Sequence, residues 1–242
     1  LKAQHLKRIK SLLHIKNEQN ERLKNFAHIA SHNLRSHSGG ISMLLELMQE
    51  ENNALNKLEE FQYLRQASSN LENTIRDLNE IVEVNLSDTK DFKKINIYPL
   101  IQKNVESVFA FAKENKVTII TDVQPETYMI GVPSYLESIF LNFMTNSIKY
   151  SALDRDSYLK ISSKSERNFT TVVFEDNGLG IDLDTYGKKL FKMYQTFHSH
   201  KDARGIGLFI TKNQIDTMNG TIEVSSEVNV GSTFKITIPN TK

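Results

Sequence analysis

The 242-residue sequence predicts an all-α helical hairpin followed by an α+β sandwich. Three observations carry that reading. Residues 1–90 contain no proline and only two glycines, Gly39 and Gly40, and are rich in Leu, Glu, Lys, Gln and Asn. After Ser87 short β-branched runs alternate with helical stretches. Within that second part an acid, Asp176, ends an apolar run and is followed at once by Asn177-Gly178-Leu179-Gly180.

The hairpin comes first. Leu23, Phe26, Ala30, Leu34, Ile41, Leu44, Leu45 and Met48 form one apolar stripe. Leu58, Phe61, Ser68, Leu71, Ile75, Leu78 and Val82 form another, with Arg65 out of pattern. Steps of three and four mark helices that pack along one side. Glu50-Glu51-Asn52-Asn53 is polar and suits the turn between them. A lone hairpin buries little surface, so two copies are expected to form a four-helix dimer. The start, Leu1 to Lys24, carries seven Lys or Arg against two Glu, dispersed among apolar residues as on a solvated helix face.

The second part reads as a series of short elements. Ile95-Asn96-Ile97 is a short strand, and Pro99 can start a helix through Glu114. Val117–Val123, Tyr128–Ile130, Tyr158–Ser162 and Phe169–Phe174 read as strands. Pro133 opens a helix to Tyr150, and Gly205 to Met218 reads as another, stopped at Gly220. Thr221–Ser225 and Thr233–Ile238 close as a hairpin, with Gly231-Ser232-Thr233-Phe234 as its turn.

Composition narrows the function. A net charge of +1 gives no global reason to expect nucleic acid. No run of about 18 apolar residues is present, so no membrane span is expected within the chain. Cysteine is absent, which excludes disulfides and thiolate metal sites. The chain begins at Leu1 and reads as a cytoplasmic piece of something longer, whose own membrane anchoring the piece leaves open.

The chemistry gathers in four short elements. Asn142 and Asn146 are four apart, so they share a helix face, while Leu136, Ile139, Phe140, Phe143, Met144 and Ile148 supply the buried side. Amide oxygens are hard ligands suited to magnesium, and Lys149 at the helix end can meet a phosphate. Asp176 can accept a hydrogen bond from an adenine amine, and Gly178 and Gly180 let the backbone approach a flat ligand. Arg204-Gly205-Ile206-Gly207-Leu208 opens a helix whose first amides can face phosphate oxygens. Each has an ordinary alternative: a capped asparagine pair, a plain Asp-Asn-Gly turn, a loop before a helix. Lys192–Arg204 is polar and reads as a lid over the nucleotide. His198 and His200 within it have no Cys or carboxylate pair to complete a metal site.

In this order and spacing the elements resemble the asparagine box and three glycine boxes of the ATP-binding domain shared by sensor histidine kinases, DNA gyrases and heat-shock chaperone ATPases. Asn142-Phe143-Met144-Thr145-Asn146-Ser147-Ile148-Lys149-Tyr150, Asp176–Gly180, Asp202–Leu208 and Gly231–Phe234 carry the resemblance, over residues 92–240. Leu190-Phe191-Lys192-Met193-Tyr194 is similar to the phenylalanine box of histidine kinases. The resemblance implies Mg-ATP as cofactor. It assigns magnesium to Asn146, adenine to Asp176, and nucleotide contacts to Asn142, Lys149, Tyr150, Gly178, Gly180, Arg204, Gly205, Gly207, Leu208 and Thr233. Asn142 stands where the gyrase-like and chaperone-like ATPases carry a catalytic Glu. An amide cannot act as a general base for water, which favours transfer to an acceptor over hydrolysis.

Ser31-His32-Asn33-Leu34-Arg35 resembles the histidine box of the same kinases. His32 is the implied phosphoacceptor, with Asn33 and Arg35 in its motif, ahead of His28 and His37. Asn33 departs from the family's usual acid and Ser36-His37 from its Thr-Pro, with Gly39-Gly40 available to supply flexibility instead. The organisation implied is a helical signalling linker over 1–20, a dimerisation and phosphotransfer domain over 21–90, and an ATP-binding domain over 91–242. The implied partners are a second copy, a response regulator receiver domain and an upstream sensor domain. A gyrase-like or chaperone-like ATPase, or a degenerate nucleotide-binding scaffold, are the alternatives.

Overall fold

In a computed structural model, residues 2–86, 92–193, 195 and 205–241 are described. The chain divides into two units, Leu1–Leu86 and Ser87–Lys242. The first is a hairpin of α1 (Lys2–Glu51) and α2 (Glu59–Leu86), joined by a short 3-10 turn at Asn53–Lys57. Asn52 caps that turn by accepting from Ala54 N at 3.1 Å. The helix α1 runs without a break through residue 20.

The apolar stripes of the hairpin are divided. Leu45, Phe61 and Ile75 are buried together with Ser38 and Ser68, and Ser42 Oγ lies 2.9 Å from Ser68 Oγ across the hairpin. Leu34, Ile41, Leu44, Met48, Leu58 and Leu71, members of the same predicted stripes, are exposed. One neighbouring helix covers only a narrow strip of a helix surface, so a wider stripe is left facing outward.

The second unit begins with β1 (Lys93–Asn96), α3 (Ile97–Glu114), β2 (Val117–Asp122), β3 (Tyr128–Gly131) and α4 (Pro133–Lys149). It continues with β4 (Ser157–Ser165), β5 (Phe169–Asp176), the short α5 (Leu183–Tyr186), α6 (Gly207–Thr217), β6 (Thr221–Glu227) and β7 (Gly231–Pro239). Five strands form a mixed sheet in the order β2-β4-β5-β7-β6, with β2 parallel to β4 and the rest antiparallel. β1 and β3 pair as a separate antiparallel ribbon.

Among the differences from the expectation, three stand out. Helix α3 starts at Ile97, because the Asn96 side chain accepts from Tyr98 N at 3.0 Å and caps it. Pro99 therefore sits in the first turn, where its missing N–H costs nothing. The last hairpin turns at Val228–Val230, with Asn229 at φ 61°, and Gly231–Phe234 is already strand, paired with β6. The segment after Gly180 forms α5, an element no motif announces, capped by Asp182 on Thr185 N. Asn96 also donates to Pro125 O at 2.9 Å. Asn96→Ala is therefore expected to lower stability by about 1 kcal/mol or slightly more, read as a shifted denaturation midpoint, whereas Asn96→Asp keeps the cap.

Strand alternation sorts the sheet into faces. Val172, Phe174, Phe234, Ile236 and Ile238 share one face, with Leu159 and Ile161 in register beside them, and all are buried. α4 covers this layer: the Phe143 ring centroid lies 5.2 Å from Phe174 and 4.9 Å from Phe234, and Phe140 lies 5.7 Å from Phe174. Leu136, Ile139, Phe140, Phe143, Met144 and Ile148 are all buried, as the helix pattern predicts. Among the described residues no helix is long and apolar enough to cross a membrane.

Candidate functional site

The apolar layer stops at one end of the sheet in a polar row. Asp176 on β5 is in register with Ser232 on β7, and Ser232 with Ser226 on β6. All three continue the helix-facing side of the rows that hold Phe174, Phe234 and Val224. Asp176 Oδ1 accepts from Gly178 N at 2.9 Å and Ser232 N at 3.3 Å, and Oδ2 accepts from Ser147 Oγ at 3.0 Å. Burial pushes its carboxyl above the usual carboxylate range, the three hydrogen bonds pull it back, and the Glu175 charge adds to the upward push. Ser226 completes the row: its hydroxyl lies 2.8 Å from Ser232 Oγ and accepts from Ile181 N at 2.7 Å.

Above this row lies the polar face of α4. Asn142 donates to Thr211 Oγ1 on α6 at 2.8 Å, and its Oδ1 accepts from Asn146 Nδ2 at 3.3 Å. The Asn146 bond uses the donor end of the amide, so its oxygen is the end that can meet a cation. Lys149 closes the helix, its ammonium 5.6 Å from the centroid of the Tyr150 ring. Tyr150 is the C-cap, and burial holds its phenol above the usual tyrosine range. Its carbonyl accepts from Leu179 N at 2.9 Å, which ties the end of α4 to the glycine turn.

That turn is fixed on several sides. Asn177 accepts from Tyr158 N at 2.8 Å and donates to Asp156 O at 2.9 Å, so it anchors β4. Gly178 passes so close to Tyr150 O that a Cβ would overlap it. Gly180 has φ 66° and lies against the Glu227 carbonyl, while Leu179 O accepts from Asn229 N at 2.7 Å. Gly205 also has positive φ, 68°, just before α6. Gly207 is the first residue of α6, where a Cβ would lie 2.5 Å from Asn142 Oδ1, and Leu208 follows, half-buried. Among the described residues no side chain caps α6, whose N-cap is Ile206, so no capping oxygen among them closes its first amides.

One site residue is displaced from its expected place. Thr233 pairs with Glu175 and Ser225, in the rows between those of Asp176, and so stands on the opposite face of the sheet. Ser232 takes the place beside Asp176. Sequence reasoning also passed over Ser147 and Ser226, since a single serine in a helix or strand carries no signal of its own. Arg204, Tyr194, His198 and His200 lie outside the described residues. Leu190, which opens the phenylalanine-box segment, is buried. Among the described residues no cluster of three or more His, Cys, Asp or Glu could hold a metal. A single amide oxygen at Asn146 fits a magnesium ion that takes its other ligands from water and phosphate.

In the helical unit His32, Asn33 and Arg35 are exposed on α1. Arg35 O accepts from Ser38 Oγ at 3.2 Å. Ile29 and Met43, also exposed, fall on the same side of the helix as His32 by its 100° step per residue.

Residues 131–242 match the family model described as histidine kinase-, DNA gyrase B-, and HSP90-like ATPase. The chain is 27% identical over 215 residues to the heme sensor protein HssS of Staphylococcus saprophyticus, covering 88% of this chain and 46% of that protein. It is 27% identical over 230 residues to the sensor protein kinase WalK of Staphylococcus aureus, covering 89% of this chain and 53% of that one. The chain thus spans about half the length of these relatives. Full-length ShkA in complex with AMPPNP superposes with a TM-score of 0.72 at 19% identity, over 89% of this chain and 45% of that one. The histidine kinase AdeS of Acinetobacter baumannii gives 0.61 at 22% identity, over 75% and 84%.

Proposed function

We infer that this chain, a histidine kinase catalytic core with a histidine kinase-, gyrase B- and HSP90-like ATPase domain over residues 131–242, transfers the γ-phosphoryl group of Mg-ATP to His32. The observation that carries the reading is the polar end of the sheet, where Asp176 is held as an acceptor by three donors. One lone pair of Oδ2 remains for an adenine amine. Asn146 would hold magnesium through its amide oxygen, and the ion would neutralise charge on the phosphates. Lys149 and the uncapped amides of α6 suit the phosphate oxygens.

Asn142 supports transfer over hydrolysis. Its amide is engaged with Thr211 and Asn146, and an amide takes no proton from water. The nucleophile is the imidazole of His32: an N–P bond forms, the bond to the bridging oxygen breaks, and ADP leaves. Such transfer needs in-line placement and charge neutralisation more than covalent help from the protein. The exposed Leu34, Ile41, Leu44, Met48, Leu64 and Leu71 of the hairpin support a homodimer that would bury them. The phosphoryl group would pass on to an aspartate of a response regulator. On this reading the fragment works in the cytoplasm, with a sensor module elsewhere in its parent protein.

The test is incubation of the chain with γ-labelled ATP and magnesium. The expected product is a protein-bound label that is acid-labile and base-stable, as a phosphoramidate is. Sustained phosphate release with no phosphoprotein would make the chain an ATPase instead.

A further inference from the structure

We propose that Ser147 is a positioning residue that sets which purine the pocket takes, by holding Asp176 as an acceptor-only group for an exocyclic amine. The proposal rests on the reading that Asp176 meets the base. Ser147 is 5% exposed, on an α4 surface otherwise made of Ile139, Phe140, Phe143, Met144 and Ile148. A hydroxyl buried there is costly unless bonded, and its bond is the one to Asp176 Oδ2 at 3.0 Å.

The proton count decides the chemistry. Oδ1 accepts two backbone N–H groups, which have no other role to offer. Oδ2 accepts the single proton of Ser147. All three bonds are made in full only by a carboxylate, and one lone pair of Oδ2 is left over. Adenine presents an amine donor at the position where guanine presents a carbonyl acceptor. The carboxylate therefore satisfies adenine and repels guanine.

Removing the hydroxyl changes this balance. Burial already pushes Asp176 upward, and among the described residues the charge that acts on it, Glu175 beside it on β5, pushes the same way. Glu175 itself accepts from Tyr158 OH at 2.9 Å on β4. Among the described residues, α4, β7 and the glycine turn contribute neutral donors: Ser147, Ser232 N and Gly178 N. Loss of one stabiliser of the ionised form raises the group further, so it protonates at higher pH. A protonated Oδ2 can donate to a carbonyl, which guanine offers.

The experiment measures ATP and GTP dissociation constants of the full chain from mildly acidic to mildly alkaline pH, for the parent, Ser147→Ala, Ser147→Thr and Asp176→Asn. Ser147→Ala is expected to lose about tenfold in ATP affinity at neutral pH, to keep or gain GTP affinity, and to lose ATP at a higher pH on acidification. Ser147→Thr keeps the hydroxyl and is expected to keep the parent's preference and pH profile, which ties the change in Ser147→Ala to the lost hydroxyl. An equal loss of both nucleotides in Ser147→Ala, with the pH profile unmoved, would reduce Ser147 to packing and overturn the proposal. If Asp176→Asn loses the adenine preference while Ser147→Ala keeps it, only the role of Ser147 fails. If Asp176→Asn itself binds as selectively as the parent, the base is read elsewhere, and the proposal falls together with the site reading.

Discussion

The His32→Gln chain is expected to take up no acid-labile label from γ-labelled ATP, while binding ATP as tightly as the parent. Glutamine forms helix about as well as any polar residue, and position 32 is exposed, so α1 should persist. Its amide nitrogen is not nucleophilic, whereas a neutral imidazole is. The residues proposed to hold nucleotide, from Asn142 to Gly207, all belong to the second unit. Binding and transfer therefore separate cleanly in this variant. Asn146→Ala should act in the opposite way, losing label through magnesium and nucleotide. Label that survives in His32→Gln would move the acceptor, with His28 and then His37 next to replace. Asn33 sharpens the test, because an amide beside the ring cannot take its proton. Whatever rate is measured for the parent chain is the rate without a neighbouring acid.

How far the sequence alone reaches differs between elements, for physical reasons. Asp176 stood out because an acid at the end of an apolar strand, followed by glycines, breaks a pattern. The buried side of α4 was equally plain, since six apolar residues at helical spacing allow one face only. Ser147, Ser226 and Ser232 were not legible. Each is a small polar residue in an otherwise regular element, and only strand register and helix docking bring them to one carboxylate. Thr233 shows the same limit by a single step. The resemblance of Gly231–Phe234 to a glycine box implies Thr233 as a contact, but in the strand its side chain alternates to the far face, and Ser232 stands beside Asp176. In the hairpin, periodicity identified helices but not which part of each stripe faces the neighbouring helix. Leu45 and Leu44 are adjacent in the same stripe, yet one is buried and the other exposed.

Gly180→Ala should be among the most damaging single changes in the second unit. At φ 66° an alanine pays the left-handed penalty of about 1–2 kcal/mol. Its Cβ would also overlap the carbonyl of Glu227 and crowd Val228, both backbone, which cannot rotate away as a side chain can. Relief requires the β6–β7 turn to move off the glycine turn, and that strains the Asn229 N to Leu179 O bond of 2.7 Å. Overpacking of this kind adds about 1–3 kcal/mol. Together these predict a loss of about 3 kcal/mol, or roughly a 10 °C fall in Tm for a unit of this size. Gly187→Ala is the control: its φ is −53°, and the nearest atom to a Cβ is Leu183 Cβ at 3.8 Å, an ordinary contact. It should melt within a degree or two of the parent. The glycine turn and the β6–β7 turn are held together at Gly180, and Asp176 is held from both sides by Gly178 N and Ser232 N. Nucleotide affinity should therefore fall with stability in Gly180→Ala, even at temperatures where the chain is folded. A variant that melts early but binds ATP normally would show that the two turns can part without releasing the carboxylate. In that case Ser147 Oγ and Gly178 N, without Ser232 N, would be sufficient to hold it.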